Sequence, residues 1–270
     1  MLSKMKMFSF DDHYSGSGMN DFHNFYDSLG FPEIQSELNE KRIEIKNKGL
    51  LGKVIEHLRS YEHPIASILD VGGGSGINLI FYSEVTGATK LYSIDIREPK
   101  TKLNGINYIK SAVDDLPSLN LPKFDAIIMT EVIEHLLDPD KALENIVNLL
   151  NDHGVLIITT PNLGGILNII TLLLGFQPPA TEVSLRKAYG RPFRRNGGQV
   201  AGHVHVFTVR ALKEMIEAHG LRVISISTCG MTLNRDSPLH LRIVSLLDRM
   251  FSYLFPHGGT RIIAVCSRSK

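Results

Sequence analysis

One short stretch of the sequence has the residue types and spacing of a ligand cradle. It runs Ile68-Leu69-Asp70-Val71-Gly72-Gly73-Gly74-Ser75-Gly76, an apolar run that ends in an acid and is followed by a glycine-rich turn. The apolar residues from Ile77 onward then predict the start of a helix. Glycine lets the backbone approach a ligand closely, and the first N–H groups of a helix have no partner within it. The stretch therefore predicts a site for a nucleotide-like ligand, with the Asp70 carboxylate facing the turn.

The glycine spacing separates two classes of such ligand. A dinucleotide site has the pattern G-x-G-x-x-G, whose third glycine would stand at Ile77. Here the glycines that follow Asp70 include Gly72, Gly74 and Gly76. This arrangement resembles motif I of the class I S-adenosyl-L-methionine (SAM) methyltransferases, D-x-G-x-G-x-G. A sulfonium cation beside an amino-acid carboxylate suits an acid-bearing loop better than a pyrophosphate does; a glycine turn without a ligand is the open alternative.

A second acid, Asp95, ends the next predicted strand, nineteen residues after Gly76. An acid at this place can accept hydrogen bonds from both hydroxyls of a ribose. The resemblance implies that Asp95 is the motif II acid of the methyltransferases and that Ile96 packs on the adenine. A simple turn-capping role for Asp95 is the alternative.

The segment expected at the adenine departs from the family pattern. Relatives have G-D-A-x-x-L-P, in which the Asp receives the adenine amino group. This chain has Lys110-Ser111-Ala112-Val113-Asp114-Asp115-Leu116-Pro117, so Ala112 occupies the place of that acid. Two interpretations stay open: a backbone carbonyl takes the amino group, or Asp114 reaches back to it. A helix-capping role for Asp114 is equally compatible with the sequence.

The segment from Phe124 to Leu136, F-D-A-I-I-M-T-E-V-I-E-H-L, follows the fourth predicted strand. It closely resembles motif IV and its sequel in methyltransferases of the ubiquinone-biosynthesis type, within the type 11/23 group. The resemblance implies that Thr130 and Glu131 lie beside the sulfonium and His135 lies at the pocket wall. A hydroxyl acceptor must be aligned with the methyl group and must lose a proton. His135 is the candidate base, and a structural role for it in this turn is the alternative.

Two further histidines, His203 and His205, alternate with valines just before Thr208. In an extended segment this alternation places both imidazoles on one face, and Thr208 is the predicted N-cap of a helix. The segment, together with the L-L-L-G-F-Q-P run at 172–178, resembles a methyltransferase subgroup whose acceptors are commonly small molecules or glycans. We therefore expect His203 and His205 to face the acceptor, together with Glu131 and His135.

A metal-dependent alternative uses some of the same residues. Glu131, Glu134, His135 and a downstream histidine resemble the two-glutamate, two-histidine metal site of small-RNA 2′-O-methyltransferases, and such a ligand set suits a divalent ion. This chain has Val204 where that family has an Asp, and it lacks the following Glu-Trp. We therefore expect no bound metal and keep metal-dependent RNA methylation as a competing function. A non-catalytic SAM-binding module is another, and the glycine spacing disfavours a nicotinamide-dependent reductase.

Strands and helices alternate from Ile65 onward, as in a parallel sheet with helices on both faces. Strands are predicted at 67–71, 90–94, 107–109, 126–130, 154–159, 223–228 and 261–267, and helices at 77–86, 140–151 and 208–219. By analogy to the family this is an α/β fold, a doubly wound, seven-stranded, mostly parallel Rossmann-like sheet of order 3-2-1-4-5-7-6. Residues 33–270 form that domain. Residues 1–32 are interpreted as an N-terminal arm, either a lid over the active site or a disordered tail.

Two insertions, 161–207 and 230–259, interrupt this alternation. We expect both to form helical caps above the carboxyl ends of the strands, where sheets of this kind bind ligands. Five cations make the first insertion locally basic, which suits a phosphate or carboxylate on the acceptor: Arg186, Lys187, Arg191, Arg194 and Arg195. The apolar helices at 166–174 and 241–255 suit an apolar pocket or a membrane-surface contact, although stripes of this kind more often belong to the core or to a dimer interface.

Length and composition are those of an ordinary globular protein. The chain has 270 residues, 43% of them hydrophobic, and a net charge of +1. This is enough for one α/β domain and lacks the global charge of a nucleic-acid-binding protein. Cys229 and Cys266 lack metal spacing, and no apolar run is long enough to span a bilayer, so we expect a cytoplasmic protein. The expected reaction is transfer of a methyl group from SAM, leaving S-adenosylhomocysteine (SAH), to oxygen of a small-molecule, glycan or lipid-linked acceptor; a homodimer is compatible.

Overall fold

The structure, a computed structural model, describes residues 32–46, 48–192, 200–231 and 239–269. Nearly all of the predicted arm, residues 1–32, therefore lies outside the described residues. The same is true of Arg194 and Arg195 in the first insertion.

Seven strands of the described chain form one sheet. They are β1 Ser67–Val71, β2 Lys90–Asp95, β3 Ile106–Lys110, β4 Phe124–Thr130, β5 Leu150–Pro161, β6 Leu221–Cys229 and β7 Arg261–Arg268. Their order is β3-β2-β1-β4-β5-β7-β6, and β7 pairs antiparallel with both β5 and β6 while the other pairs are parallel. The predicted doubly wound α/β fold and its strand order are confirmed.

The helices lie between these strands. They are α1 Pro32–Lys46, α2 Leu50–Arg59, α3 Ile77–Thr86, α4 Pro139–Leu149, α5 Ile166–Leu173, α6 Val209–Ala218 and α7 Leu239–Leu254, with short 3₁₀ helices at Val113–Leu119 and Ile133–His135. Thr208 Oγ1 accepts the Ala211 N–H at 3.2 Å, which confirms its prediction as the N-cap of α6. Within the described residues, none of these helices has the length and apolarity needed to cross a membrane.

Buried apolar side chains form two clusters, one on each face of the sheet. Alternation along β1 sends Ile68 to one cluster and Leu69 to the other. The first cluster includes Val54 of α2, and the second includes Ile146 of α4 and Leu212 of α6. Because helices fill both faces, the edge at the carboxyl ends of the parallel strands is the place left for a ligand.

Both insertions leave the sheet at that edge. β5 and β6 each run antiparallel to β7, so they run in the same direction, and β1 and β4 run parallel to β5. The insertion that contains α5 therefore starts at the edge where β1 ends in the glycine turn, as does the insertion that contains α7. Their role as caps over an acceptor stays a prediction.

Candidate active site

The turn after β1 has the backbone conformation that its glycines predict. Gly72, Gly74 and Gly76 have φ of 73°, 51° and 77°, a region that side chains disfavour. A Cβ added at Gly72 would collide with Val132 Cγ2, and one at Gly76 would lie 2.8 Å from Tyr108 Oη. Gly72 and Gly76 therefore have to be glycine for two reasons: their φ is positive, and neighbouring side chains leave no room for a Cβ. The contact with Val132 also places the loop after β4 directly against this turn.

The Asp95 side chain reaches back to the glycine turn from the end of β2. Its Oδ2 accepts the Gly74 N–H at 3.2 Å and its Oδ1 accepts the Arg97 N–H at 2.8 Å. A cavity of about 300 Å³ opens beside it and is also lined by Gly74 and Ile77. Asp95 therefore both holds the turn and borders a space large enough for part of a nucleoside.

Glu131, directly after β4, is held by strands β5 and β7. Its backbone lies at φ 54°, and its N–H donates to Thr159 O at 3.0 Å. Its Oε1 accepts the Thr159 hydroxyl at 3.1 Å, and its Oε2 accepts Arg261 Nε at 2.9 Å. The carboxylate is thus fixed in an ion pair at the rim of the site. Contact between Glu131 and the acceptor stays a prediction.

Glu134, His135 and His203 form a cluster beside Glu131. One ligating atom from each of these three side chains lies within 4.8 Å of the other two. The Glu134 side chain is 1% exposed and accepts the Thr160 hydroxyl at 3.0 Å, while its Oε1 has no hydrogen-bond partner among the described residues. Burial raises the pKa of Glu134 to about 8, and the nearby Glu131 carboxylate adds to this rise. This environment therefore favours the protonated form of Glu134.

The contacts of His135 define which ring nitrogen is free. Its Nδ1 lies 3.0 Å from Gly202 O, and because a carbonyl only accepts, Nδ1 carries the hydrogen. Nε2 is then a lone-pair acceptor, 3.8 Å from Glu134 Oε1. The side chain is 37% exposed, so a proton taken up at Nε2 has a route to solvent. His135 therefore presents a basic nitrogen at the rim of the site.

His203 joins this cluster, whereas His205 lies outside it. The His203 ring lies 5.1 Å from that of His135, and its Nδ1 donates to Ala180 O at 2.8 Å. The His205 ring instead lies near Leu137 O and Phe207. The prediction of an extended segment with both imidazoles on one face is wrong. Consecutive N–H groups, those of residues 204 and 205, donate to the same Glu134 carbonyl, so the chain bends there and strand alternation does not apply.

Comparison with known proteins identifies the family. Residues 41–226, well over half of the chain, match the family model of a methyltransferase domain. The chain belongs to this methyltransferase family. The chain is a SAM-dependent methyltransferase, as its motifs predict.

Two groups of relatives support this assignment. The ubiquinone biosynthesis O-methyltransferase of Rickettsia canadensis is 32% identical over 174 residues, which cover 59% of this chain and 70% of the relative. That of Rickettsia felis is 31% identical, over 52% of this chain and 57% of the relative, so the chain matches 57 to 70% of the length of these two relatives. A SAM-dependent methyltransferase from Archaeoglobus fulgidus shares the fold, with a TM-score of 0.52 and 17% identity over 85% of this chain and 99% of that one.

The buried carboxyl of Asp70 tests whether this methyltransferase fits SAM. Asp70 is 1% exposed, and neither of its oxygens has a hydrogen-bond partner among the described residues. A Cβ at Gly73 would lie 3.0 Å from the Asp70 carboxyl, so the turn passes directly over it. An unpartnered buried carboxyl calls for a donor, and the ammonium group of SAM is one. Together with Asp95 for the ribose, these residues fit the cofactor.

The predicted adenine contacts have mixed support. Ile96 is 67% exposed beside Asp95, so its side chain is free to cover a ring. Asp114 is exposed in the first turn of a 3₁₀ helix whose N-cap is Ala112, so it does not take the capping role. Asn145 Nδ2 donates to the carbonyl oxygens of residues 113 and 114, which fixes this backbone. Contact of Asp114 or Thr130 with the cofactor stays a prediction.

Glu182 is a positioning residue that the sequence did not reveal. Its side chain is 1% exposed and accepts N–H groups from Ala201, Gly202 and His203 at 2.7, 2.7 and 3.1 Å. Burial raises its pKa, but these three hydrogen bonds outweigh that effect and the net pKa is lowered. Glu182 therefore holds the segment that orients both histidines of the cluster.

We expect replacement of Asp95 by alanine to lower the affinity for SAH by about tenfold or more, because the two ribose hydroxyls would lose their predicted acceptor. Isothermal titration of SAH into wild type and variant measures this change. Asp115→Ala, which removes an exposed carboxyl from the 3₁₀ helix, is the matched control and leaves affinity unchanged. Equal affinity in wild type and Asp95→Ala contradicts the assignment of Asp95.

We expect the affinity for SAH to rise with pH up to about pH 7 and then to level off. Burial raises the pKa of Asp70 to about 7, so the ligand-free protein binds a proton there below that pH. An ammonium ligand stabilises the carboxylate, so binding releases this proton and affinity increases by up to about tenfold per pH unit below the pKa. Titrations from pH 5.5 to 8 measure the slope. The Asp70→Asn variant loses the slope, and a wild-type affinity independent of pH excludes Asp70 as the ammonium partner.

Proposed function

We propose that this methyltransferase transfers the SAM methyl group to a hydroxyl oxygen of a small-molecule, sugar or lipid-linked acceptor. The observation that carries the proposal is the geometry of His135, whose Nε2 is left free as a base by the Nδ1 contact to Gly202 O. His135 follows Val132, which packs against the glycine turn, so a base and the cofactor cradle adjoin. The relatives named as ubiquinone biosynthesis O-methyltransferases also support oxygen as the acceptor atom.

The bound cofactor supplies a methyl group already activated by a positively charged sulfur. In the proposed reaction, the residues of the chain bind the cofactor, orient the acceptor and remove its proton. Asp70 and Asp95 hold the amino-acid and ribose ends, and the acceptor hydroxyl lies against His135. As the oxygen–carbon bond forms and the carbon–sulfur bond breaks, the hydroxyl proton passes to His135 Nε2 and then to solvent. Glu182 and Gly202 keep the imidazole in the required tautomer.

A metal-dependent reaction is the second candidate, favoured by the Glu134, His135 and His203 cluster. Its three donor atoms are close enough to share one ion, and mixed carboxylate and imidazole ligands suit a divalent cation. This set differs from the one inferred from sequence, because Arg261 pairs with Glu131 and His205 lies apart from the cluster. In this alternative an ion bound there would activate an acceptor hydroxyl, including a ribose 2′-hydroxyl of RNA.

One experiment separates these functions. Labelled methyl from SAM is supplied to the protein in a cell extract, with and without a chelator, and the extract is fractionated into nucleic acid, protein, lipid and small molecules. Label in small molecules, glycans or lipid that is indifferent to the chelator supports the proposed function. Chelator-sensitive label in RNA supports the metal-dependent candidate instead. Binding of SAH without any label indicates a non-catalytic SAM-binding module.

A further inference from the structure

Helix α5 buries a polar residue and exposes its apolar ones. Asn168 is 3% exposed, and its amide donates to Asn162 O at 2.6 Å and accepts the Ala180 N–H at 3.0 Å. The large apolar side chains of α5 and the residues that follow it lie in solvent: Ile169, Ile170, Leu172, Leu173, Leu174 and Phe176, of which Leu173 is 80% exposed. A helix that packs on a core has the opposite arrangement. Its apolar face is therefore unused within the described chain.

Helix α7 has the same inverted arrangement. Asp248 and Ser245 face inward, where Asp248 accepts the Met231 N–H and the Thr260 hydroxyl, and Ser245 donates to Met231 O. The exposed residues repeat at helical spacing along the opposite side: Leu239, Ile243, Leu246, Leu247, Met250, Tyr253 and Leu254, of which Tyr253 is 90% exposed. Both helices thus present an apolar stripe to the outside and are anchored by polar contacts inside.

The two insertions that carry these stripes are joined by direct contacts. α5 and α7 contact each other, and Ile166 N–H donates to Gly258 O at 2.9 Å. Asn162, which is fully buried, donates through its side chain to His257 O and Gly259 O at 2.9 and 2.7 Å. We call the exposed apolar side chains of α5 and α7 the apolar platform. It lies on the two insertions that leave the sheet at the edge of the candidate site.

The exposed charged side chains in the described parts of the two insertions are all cationic. Among the described residues of 162–192 and 239–260, the exposed charged side chains are Arg186, Lys187, Arg242 and Arg249. The two acids of these segments, Glu182 and Asp248, are buried and hydrogen-bonded. Exposed apolar side chains accompanied by cations suit an anionic lipid surface. The apolar side chains can enter the membrane interface, and the cations are attracted to the anionic headgroups. Two copies of this chain packed through the same platform would bring like charges together.

We propose that the apolar platform docks the protein onto an anionic lipid bilayer, with α5 and α7 lying in the plane of the interface. The helices have 8 and 16 residues, fewer than the roughly 20 that span the hydrocarbon core. Such helices bind at the boundary between headgroups and acyl chains. Docking in this orientation brings the edge of the sheet that carries the candidate site close to the lipid. The inference does not depend on the acceptor or on the base.

Flotation of the full chain with vesicles tests the docking. We expect binding to vesicles of phosphatidylglycerol and phosphatidylcholine, weaker binding to phosphatidylcholine alone, and loss of binding as salt increases. The double variant Leu246→Ser, Tyr253→Ser lowers partitioning by about tenfold or more, since each side chain loses burial in the interface. Both residues are exposed, so thermal unfolding stays unchanged and SAH still binds. Ile224→Ser, which changes an exposed apolar residue on β6, is the matched control and keeps vesicle binding.

Three results overturn the proposal. The first is absence of binding to anionic vesicles. The second is equal binding of the wild type to neutral and anionic vesicles, together with unchanged vesicle binding by the double variant Arg242→Gln, Arg249→Gln. The third is a wild-type protein that does not bind vesicles but self-associates in sedimentation, with the self-association lost in the Leu246→Ser, Tyr253→Ser variant. This result would make the apolar platform a contact between copies of the chain. Methyl transfer in solution by the same variant shows separately whether the proposed function holds.

Discussion

We expect replacement of His135 by alanine to lower kcat by about a hundredfold or more, because the acceptor hydroxyl would lose its proposed base. We expect SAH affinity to stay at the wild-type value, since the His135 side chain contacts Gly202 O and lies near Glu134 and His203, none of which is predicted to bind the cofactor. The fraction of cell extract that accepts label in the experiment described above serves as the substrate. Initial rates of methyl transfer to it by wild type and variant give the change in kcat. His63→Ala, which removes an exposed imidazole that packs against Tyr61 and His153, is the matched control and keeps full activity. An undiminished kcat in His135→Ala rules out the base.

The His203→Ala variant distinguishes the base from the metal-dependent candidate. The base mechanism needs only His135 Nε2, so His203→Ala retains most of the activity and a chelator has no effect. A metal held by Glu134, His135 and His203 loses one of its three protein ligands in this variant. Added divalent ion then stimulates the wild type more than the variant. Chelator resistance of the wild type together with an active His203→Ala variant supports the base.

Replacement of Gly72 by alanine is expected to have large effects on both stability and SAH affinity. The new methyl group collides with Val132 Cγ2 and is also forced into a φ of 73°, so the free energy of unfolding falls by about 2–4 kcal/mol. The displaced turn lowers SAH affinity by about tenfold or more, because its N–H groups and the Asp70 carboxyl no longer converge. Thermal unfolding and SAH titration measure the two effects on the same sample.

A matched glycine isolates the collision from the backbone strain. Gly87 has a φ of 76° and no atom within 4 Å of an added Cβ, so Gly87→Ala costs only about 1–2 kcal/mol and leaves affinity unchanged. Combining Gly72→Ala with Val132→Ala removes the colliding methyl and recovers part of the affinity. Equal effects of Gly72→Ala and Gly87→Ala on SAH affinity would show that the turn does not hold the cofactor.

The cofactor side of this site was predictable because its chemistry is local in sequence. Gly72, Gly74 and Gly76 adopt backbone conformations that are unfavourable for residues with a side chain, so the spacing of these glycines alone indicates the turn. Asp95 follows at a distance set by one helix and one strand of ordinary length, so its place at the end of β2 was predictable, whereas its hydrogen bond with the Gly74 N–H was not predicted. The strand order followed from family resemblance, since alternation of strands and helices does not specify that β7 is antiparallel.

The acceptor side depends on contacts that sequence patterns do not encode. Arg261 pairs with Glu131 from 130 residues away, and only the insertion of β7 beside β5 brings them together. Glu182 is one acid in a basic insertion, and its role comes from three backbone N–H groups that a bend presents to it. The same bend separates His203 from His205, where alternation predicted a shared face. Periodicity describes regular backbone, and this part of the site is irregular.

The place of β7 within the sheet also sets an order for synthesis on the ribosome. Residues 67–161, which carry the glycine turn, Asp95 and the loop with His135, emerge before Arg261 does. A nascent chain that has not yet exposed β7 lacks the cation that pairs with Glu131, and the edge of β5 that β7 later covers is open to other strands. The predicted cofactor residues and the loop with His135 are therefore synthesised before the cation that pairs with Glu131. The last strand of the chain to be made is the one that completes the sheet beside β5.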